Sequence, residues 1–194
     1  MRADARRNQE KLVAVAEQAF AEHGAGASLD DIAKRAGVGP GTLYRHFPTR
    51  EALQEAVYRG AIEELAARGT TLATTLAPGP ALEAWVTMLV EHMGARRDLA
   101  TALTASLGKQ SEVFVDSHRL MHSTGKALVE AAKNAGVVRA DLDQRDLLWM
   151  AHGVAQATEG DGGAQRGERL LSVLLAGMKP VSPDGAAATT PEQR

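Results

Sequence analysis

The sequence predicts an all-α fold in two domains, with a three-helix helix-turn-helix unit over residues 1–48 and a larger helical domain over residues 49–180. Two observations predict it. Apolar residues recur at helical spacing along most of the chain, between breaks rich in glycine and proline. No run alternates with a period of two over a useful length, so no sheet is expected. Residues 181–194 lack apolar periodicity, which predicts a disordered tail.

Composition narrows the class of protein. The chain has 194 residues, of which 44% are hydrophobic and 24% charged, as in ordinary soluble globular proteins. The absence of cysteine excludes disulfides and thiolate chemistry. No apolar run reaches the roughly 18 residues of a membrane span, and the N-terminus lacks the apolar core of a secretion signal. We therefore expect a cytoplasmic protein with no membrane contact and no cofactor.

Charge is unevenly distributed along the chain. The net charge is -2, yet residues 1–50 carry eight Lys/Arg against six Asp/Glu, and the excess of acidic residues lies after them. A mildly basic N-terminal region, followed by an acidic remainder of the chain, allows contact with nucleic acid at one end of the protein. The excess is too small to decide the function.

Three helices are predicted before residue 48, over 5–23, 28–36 and 40–47. Ser28 is placed to cap the second helix, and Gly37 supplies the left-handed turn that ends it. Gly39 caps the third helix and Pro40 takes its first position, where a missing N–H costs nothing. Two short helices joined by a tight turn, behind a longer supporting helix, are typical of a helix-turn-helix.

The predicted third helix has an inner and an outer side. Leu43 and Phe47 are four residues apart and face the core, whereas the remaining side chains of the helix lie around its outside. Gly41 keeps its first turn free of bulk, so the helix can enter a major groove with its N-terminus forward. After residue 49 the pattern predicts longer helices, at about 49–75, 80–94, 98–107, 110–134, 142–157 and 166–178.

The stretch SLDDIAKRAGVGPGTLYRHFPTREAL, residues 28–53, resembles the DNA-binding domain of the TetR family of bacterial transcriptional regulators. The match is dense over residues 9–57, and GVVRADLDQRDLLWM at 136–150 is similar to the approach to the family's dimerisation helices. The resemblance implies a homodimeric repressor that binds a palindromic operator in double-stranded DNA until a small-molecule effector binds the C-terminal ligand-binding and dimerisation domain. It also implies that the protein is not an enzyme.

The resemblance assigns DNA contacts by position. Arg45 is a candidate reader of base edges, because arginine to guanine is the commonest specific pairing. Arg50 stands where the family usually has lysine and is expected to meet a phosphate. The candidate DNA-binding residues are Ser28, Gly39, Pro40, Gly41, Thr42, Tyr44, Arg45, His46 and Arg50.

Polar tips within apolar stripes of the second domain suit a pocket for a mostly apolar effector. The candidate lining residues are Trp85, Met88, Leu89, His92, Phe114, His118, Met121 and Trp149. The alternative for each is that it only fills the core. A body that has lost its pocket and serves only in dimerisation stays open.

Histidines support a different alternative, a small metal-dependent enzyme. His118 and His122 are four apart on one helical side, and with His92 they form a set that zinc could use. No Ser-His-Asp pattern or phosphate-binding glycine loop accompanies them. We therefore expect no metal site and no catalysis.

Two helical segments, 147–155 and 170–178, are apolar around most of their circumference. A surface helix needs only one apolar stripe, so a partner subunit is expected to cover the second side, although burial within one protomer remains an alternative. The candidate dimer residues are Leu147, Met150, Ala151, Val154, Leu170, Leu171, Leu174 and Met178.

Overall fold

A computed structural model describes residues 2–180 of the chain, and the tail predicted over 181–194 lies outside them. The described residues form helices joined by short turns and contain no strand, which confirms the all-α prediction. In chain order the helices are α1 (Arg2–His23), α2 (Leu29–Arg35), α3 (Pro40–His46), α4 (Arg50–Thr75), α5 (Pro78–Ala95), α6 (Arg97–Leu107), α7 (Glu112–Asn134), α8 (Gln144–Gln156) and α9 (Gly163–Gly177).

The chain divides into two compact units. Among the described residues, the first unit contains those up to Arg68 together with Glu91–Met121, and the second contains Gly69–Val90 together with those from His122 onward. The compact units therefore interleave along the chain, and α6 belongs to the same unit as α1–α3. The predicted boundary at residue 48, which divides the chain by role, stays a prediction.

The first unit is built around fully buried aliphatic side chains. Leu12 of α1, Ile32 of α2 and Leu43 of α3 are each 0% exposed, and α6 adds Leu99 and Leu103 to the same core. Burying a leucine or isoleucine stabilises a fold by about 1.5–3 kcal/mol, so these contacts hold the short helices α2 and α3 in place.

Local signals define the ends of α2 and α3 as predicted. Ser28 is the N-cap of α2, and its Oγ accepts a hydrogen bond from the Asp31 backbone N–H at 3.3 Å. Gly37 has a φ of +71°, which the turn between the two helices requires. Pro40 then opens α3 behind the extended Gly39, and Phe47 ends it in an extended conformation that suits the residue before Pro48.

Trp85 of α5 lies in the centre of the second unit and is 0% exposed. Its indole ring passes between Gly69 of α4 and Gly125 of α7, where a side chain would collide with it. The helices α8 and α9 pack against each other in the same unit. Gly163 and Gly167 let α9 approach Thr158 of the preceding turn, since a methyl group at Gly163 would lie 2.0 Å from the Thr158 carbonyl oxygen.

The start of α9 differs from the prediction. The sequence pattern places it at about residue 166, whereas the helix begins at Gly163 because Gly162 adopts a left-handed conformation with a φ of +69°. The guanidinium of Arg166 donates to the carbonyl oxygens of Ala157 and Asp161, which folds the α8–α9 turn over the helix start. None of the described helices combines the length and apolar character of a membrane crossing.

Candidate nucleic-acid interface

The outer side of α3 carries the side chains expected to meet DNA. Tyr44 is 47% exposed, and Arg45 is exposed with no ion pair to any described residue. Thr42 is half-buried. Leu43 and Phe47 anchor the opposite side, with exposures of 0% and 4%. The short helix thus presents an aromatic hydroxyl and a free guanidinium to solvent on a rigid base.

The N-terminal turn of α3 is open. Gly39, Pro40 and Gly41 are exposed, and a methyl group added at either glycine would meet nothing within 4 Å. The protein's own packing therefore does not require glycine at these positions. Glycine here keeps the helix end free for close approach to another surface, and the first backbone N–H groups of a helix have no intrahelical partner.

His46 is placed differently from the prediction. It is half-buried, and its Nε2 is enclosed with no hydrogen-bond partner among the described residues. The centroid of its ring lies 6.4 Å from that of Phe47. Nε2 therefore faces the protein rather than solvent, and a DNA contact by the rest of the His46 ring stays a prediction.

Ser28 is exposed at the start of α2, where its oxygen accepts the Asp31 N–H. A hydroxyl that accepts one hydrogen bond keeps its own proton to donate, so this cap is compatible with a phosphate contact. At the other end of α2, Arg35 forms an ion pair of 2.8 Å with Glu22, whose pKa the guanidinium lowers by hydrogen bonding.

Arg50 begins α4 and is already engaged within the protein. Its Nη1 donates to the carbonyl oxygens of Ala25 at 3.2 Å and Ala27 at 2.6 Å. Gln54, one turn further along α4, donates from Nε2 to the same Ala25 carbonyl at 2.8 Å and is only 3% exposed. The sequence analysis missed Gln54. The one signal for Gln54 in the sequence is a polar residue beside Leu53 on the buried side of a helix.

The effector candidates separate into buried and exposed residues. In the second unit Trp85 and Leu89 are 0% exposed, and Met88 is half-buried. In the first unit Phe114 and Met121 are buried, and His92 is half-buried. His118 and Trp149 are corrected, because His118 is exposed and Trp149 is 74% exposed. Neither can line an enclosed pocket within its unit.

Polar groups accompany Trp85 in the second unit. The side-chain amide of Gln144 hydrogen-bonds Nδ1 of His122, with Nε2 at 2.8 Å, and Cγ of Gln144 would contact a methyl group on Gly125 at 3.3 Å. The Trp85 indole N–H is buried without an acceptor among the described residues. The Gln144 side chain thus lies beside the buried indole ring and binds His122, whereas the effector prediction had named only Trp85 of these three residues.

A cavity of about 110 Å³ lies in the first unit, among Glu17, Phe20, Gly24, Val57, Arg96 and Leu99. Ligand pockets commonly measure about 300–1,000 Å³, so this cavity is too small for an effector of ordinary size. Arg96 and Glu17 form an ion pair at its edge.

His92 is neutral at physiological pH. Burial, and then the nearby positive charge of Arg96, lower its pKa to about 4. Among residues 2–180, no group of three His, Asp or Glu side chains is arranged to hold a metal ion. The alternative that combined His92 with His118 and His122 therefore gains no support.

The candidate dimer residues of α8 and α9 also separate into buried and exposed residues. Five are buried against their own chain and leave little area for a partner, which favours for them the alternative of burial within one protomer; they are Leu147, Ala151, Val154, Leu174 and Met178. Leu171 is half-buried. Met150 and Leu170 are 42% and 39% exposed, and the structure adds Trp149 at 74% and Val173 at 69%. We call Trp149, Met150, Leu170 and Val173 the α8–α9 apolar face.

Comparison with known proteins identifies both parts of the chain. Residues 12–57 match the family model of bacterial regulatory proteins of the tetR family, and residues 77–180 match the C-terminal domain of SbtR-like transcriptional regulators. The HTH-type transcriptional repressor KstR2 of Rhodococcus jostii is 30% identical over 159 residues, which cover 73% of this chain and 76% of that protein.

Solved structures agree with the sequence relatives. A TetR transcriptional regulator from Streptomyces coelicolor is 37% identical, with a TM-score of 0.78 over 90% of this chain and 99% of its own. A TetR transcription regulatory protein from Mycobacterium vanbaalenii is 33% identical, with a TM-score of 0.73 over 92% of this chain and 98% of its own. The chain therefore belongs to the TetR family of transcriptional regulators, which bind DNA through a helix-turn-helix.

Proposed function

We propose that the protein is a homodimeric repressor that binds a palindromic operator and leaves it when a small, mostly apolar effector binds. The observation that carries the proposal is the exposed face of α3, where Tyr44 and the unpaired Arg45 project from a helix anchored by Leu43. A relative that covers most of the chain is named a transcriptional repressor, which supports this direction of control.

In this proposal α3 enters the major groove and Arg45 reads a base edge. Thr42, Tyr44 and Ser28 contact phosphates on either side, while Gly39, Pro40 and Gly41 allow the backbone to come close. Selection of bound fragments from genomic DNA tests the proposal. We expect a sequence with two inverted half-sites about one helical turn apart. Recovery of fragments with no common sequence, at the affinity measured for random DNA, would contradict it.

The α8–α9 apolar face supports the dimer. Four large apolar side chains on adjacent helices are exposed in one protomer, and a two-fold copy of the same face would cover them. A dimer places one α3 at each half of a palindrome. Sedimentation of the purified protein at micromolar concentration tests it, and a monomer under those conditions would contradict the proposal.

The surroundings of Trp85 support an effector site in the second unit. Its ring offers an aromatic surface, and the indole N–H, His122 and Gln144 supply the few polar groups that orient a mainly apolar guest. The chain has two tryptophans, so Trp149→Phe leaves Trp85 as the sole reporter of indole fluorescence.

Titration of the Trp149→Phe protein with a panel of small apolar compounds tests this site. A true effector should shift Trp85 emission and weaken operator binding by a coupling of about 1–3 kcal/mol. A panel in which no compound shifts the emission or weakens operator binding would favour the alternative, a body that has lost its pocket and serves only in dimerisation.

A further inference from the structure

Arg50 is the first residue of α4, at the point where the helix-turn-helix passes into the rest of the first unit. Thr49 precedes it and closes the helix end, because its Oγ1 accepts the Ala52 backbone N–H at 3.1 Å. The backbone that carries Arg50 is therefore fixed, and the direction of its side chain is set by what the guanidinium contacts.

Three hydrogen bonds from α4 converge on the turn between α1 and α2. Arg50 donates from Nη1 to Ala25 and Ala27, and Gln54 donates to Ala25 from one helical turn away. Residues four apart on a helix lie on the same side, so the two side chains form one clamp. Gln54 is 3% exposed, so its amide depends on this carbonyl for a partner in place of water.

The clamped turn offers no polar side chain that α4 could bind. It consists of the sequence Gly-Ala-Gly-Ala at residues 24–27, with a left-handed φ of +71° at Gly24. Glycine and alanine carry no polar side chains, so Arg50 and Gln54 bind the turn through its backbone carbonyls. Ser28 follows at once as the N-cap of α2, and α2 packs directly on α3. This turn therefore connects α4 to α2 and, through α2, to α3.

The contacts of Arg50 differ from those expected of a side chain that is free to bind a DNA phosphate. The side chain is half-buried, and no carboxylate pairs with it in the described part of the chain. A positive charge in the first turn of a helix opposes the helix dipole, and the two carbonyl dipoles offset that cost. The planar guanidinium of arginine suits such a bridge, whereas the ammonium of lysine is a compact and strongly hydrated charge.

We infer that Arg50 is a positioning residue for DNA binding. It holds the α1–α2 turn against α4, with Gln54 as its second arm, so that α2 and α3 meet DNA in one fixed orientation. The inference rests on the proposed DNA-binding function. It replaces the phosphate contact expected from the sequence with a role inside the protein.

The test measures the affinity of full-length protein for a selected genomic operator and for a random-sequence duplex across a series of salt concentrations. Each phosphate contact contributes about 0.9 to the slope of log affinity against log salt. For Arg50→Met we expect at least a tenfold loss of operator affinity with the wild-type slope. Arg50→Lys should not restore the affinity, because one ammonium does not bridge both carbonyls.

The matched control is Arg59→Met, nine residues along α4. Arg59 is exposed and forms an ion pair of 2.5 Å with Glu55, so its removal should leave affinity and slope unchanged. Circular dichroism at the assay temperature shows whether each variant is folded. If Arg50→Met fails to fold, Gln54→Met replaces it, since Arg50 then keeps one arm of the clamp. That variant should lose affinity about threefold at the wild-type slope.

Three results would overturn the inference. The first is a slope that falls by about 0.9 or more in Arg50→Met and returns in Arg50→Lys, which would identify a phosphate ligand. The second is wild-type affinity in a folded Arg50→Met or Gln54→Met. The third is a wild-type protein that binds neither duplex, which would overturn the proposed function together with this role. The first two would leave the proposed function intact.

Discussion

Trp85 and Gly125 approach each other so closely that a methyl group on Gly125 would lie 2.9 Å from Cη2 of the indole ring. Glycine in the middle of a helix costs about 1 kcal/mol relative to alanine. Neither Gly125 nor Gly69 has a positive φ that would need glycine for conformational reasons. Space for the Trp85 ring is therefore a physical reason for glycine at both positions, and at Gly69 the methyl group of Thr124 also fills that space.

The first prediction follows from that contact. Gly125→Ala should lower the free energy of unfolding by about 1–2 kcal/mol, because overpacking costs about 1–3 kcal/mol and exceeds the gain in helix propensity. Gly60→Ala in α4 is the control, since a methyl group there meets nothing within 4 Å. It should stabilise the protein by a few tenths to about 1 kcal/mol. Urea unfolding measures both, and equal changes of the same sign would contradict the prediction.

The second prediction concerns base reading by Arg45. Arg45→Ala should reduce affinity for the selected operator by about 1–3 kcal/mol per half-site while leaving random DNA little affected, because a bidentate contact to a base carries discrimination. Arg68→Ala, on the exposed side of α4 and paired with Glu64, is the control. Competition binding against operators altered at single positions measures the effect. An equal loss on operator and random DNA would assign Arg45 to phosphate contact.

The third prediction concerns acid stability. The folded protein holds the pKa of His92 at about 4, whereas an unfolded histidine titrates near 6.5. Below pH 6.5 the unfolded chain binds the extra proton, so stability should fall as the pH drops towards 4 and gain nothing further below it. In His92→Leu this loss of stability between pH 6.5 and pH 4 should be smaller by about 1–2 kcal/mol. The estimate is kept small because His92 is only half-buried and solvent screens its charge.

Chemical unfolding at a series of pH values measures this effect as a difference between proteins. His118→Gln is the control, because His118 is exposed. Carboxylates also titrate near pH 4, and the difference between wild type and each variant cancels their contribution. Parallel stability curves for wild type and His92→Leu would contradict the prediction.

Sequence reasoning succeeded where a signal is local. The cap at Ser28, the turn at Gly37 and the stop at Pro48 each act within a few residues, and the observed ends of α2 and α3 agree with them to within one residue. Such signals depend on backbone chemistry that one or two side chains determine. Helix ends in this unit were therefore predictable.

The sequence-based assignment was wrong where a shift of one residue decides which side chain of a helix is buried. The pattern in α7 places His118 in a stripe with Phe114 and Met121, whereas the structure buries Ser117, at 5% exposure, and leaves His118 exposed. Spacings of three and four residues are both compatible with one helical face, so the pattern cannot choose between the two. The core around the helix makes that choice.

Contacts between distant parts of the chain were also beyond the sequence. Arg50 reaches carbonyls more than twenty residues earlier, and backbone carbonyls carry no mark in the sequence. The sequence is equally uninformative about the packing of α8 and α9, because both helices are apolar on two sides. The sequence cannot tell that Leu147 and Leu174 face their own protomer while Trp149 and Val173 face outward.

The fourth prediction uses that distinction to test the dimer. Val173 is 69% exposed in the α8–α9 apolar face, whereas Leu174 beside it is 8% exposed. Val173→Arg should therefore leave the protomer folded, yet place two unpaired charges in a two-fold apolar interface at a cost of several kcal/mol. Sedimentation should show a monomer, and operator affinity should collapse because a single protomer reads only half of a palindrome.

Two further variants separate the dimer from the fold. Leu174→Arg buries its charge within the protomer, so it should lower the melting temperature of the protein itself. Val115→Arg alters another exposed apolar residue, 42% exposed at the start of α7, and should change neither association nor operator affinity. A Val173→Arg protein that sediments as a dimer and binds the operator normally would place the dimer interface elsewhere. A monomeric variant with wild-type melting behaviour would assign the loss of DNA binding to the interface, because α3 is unaltered.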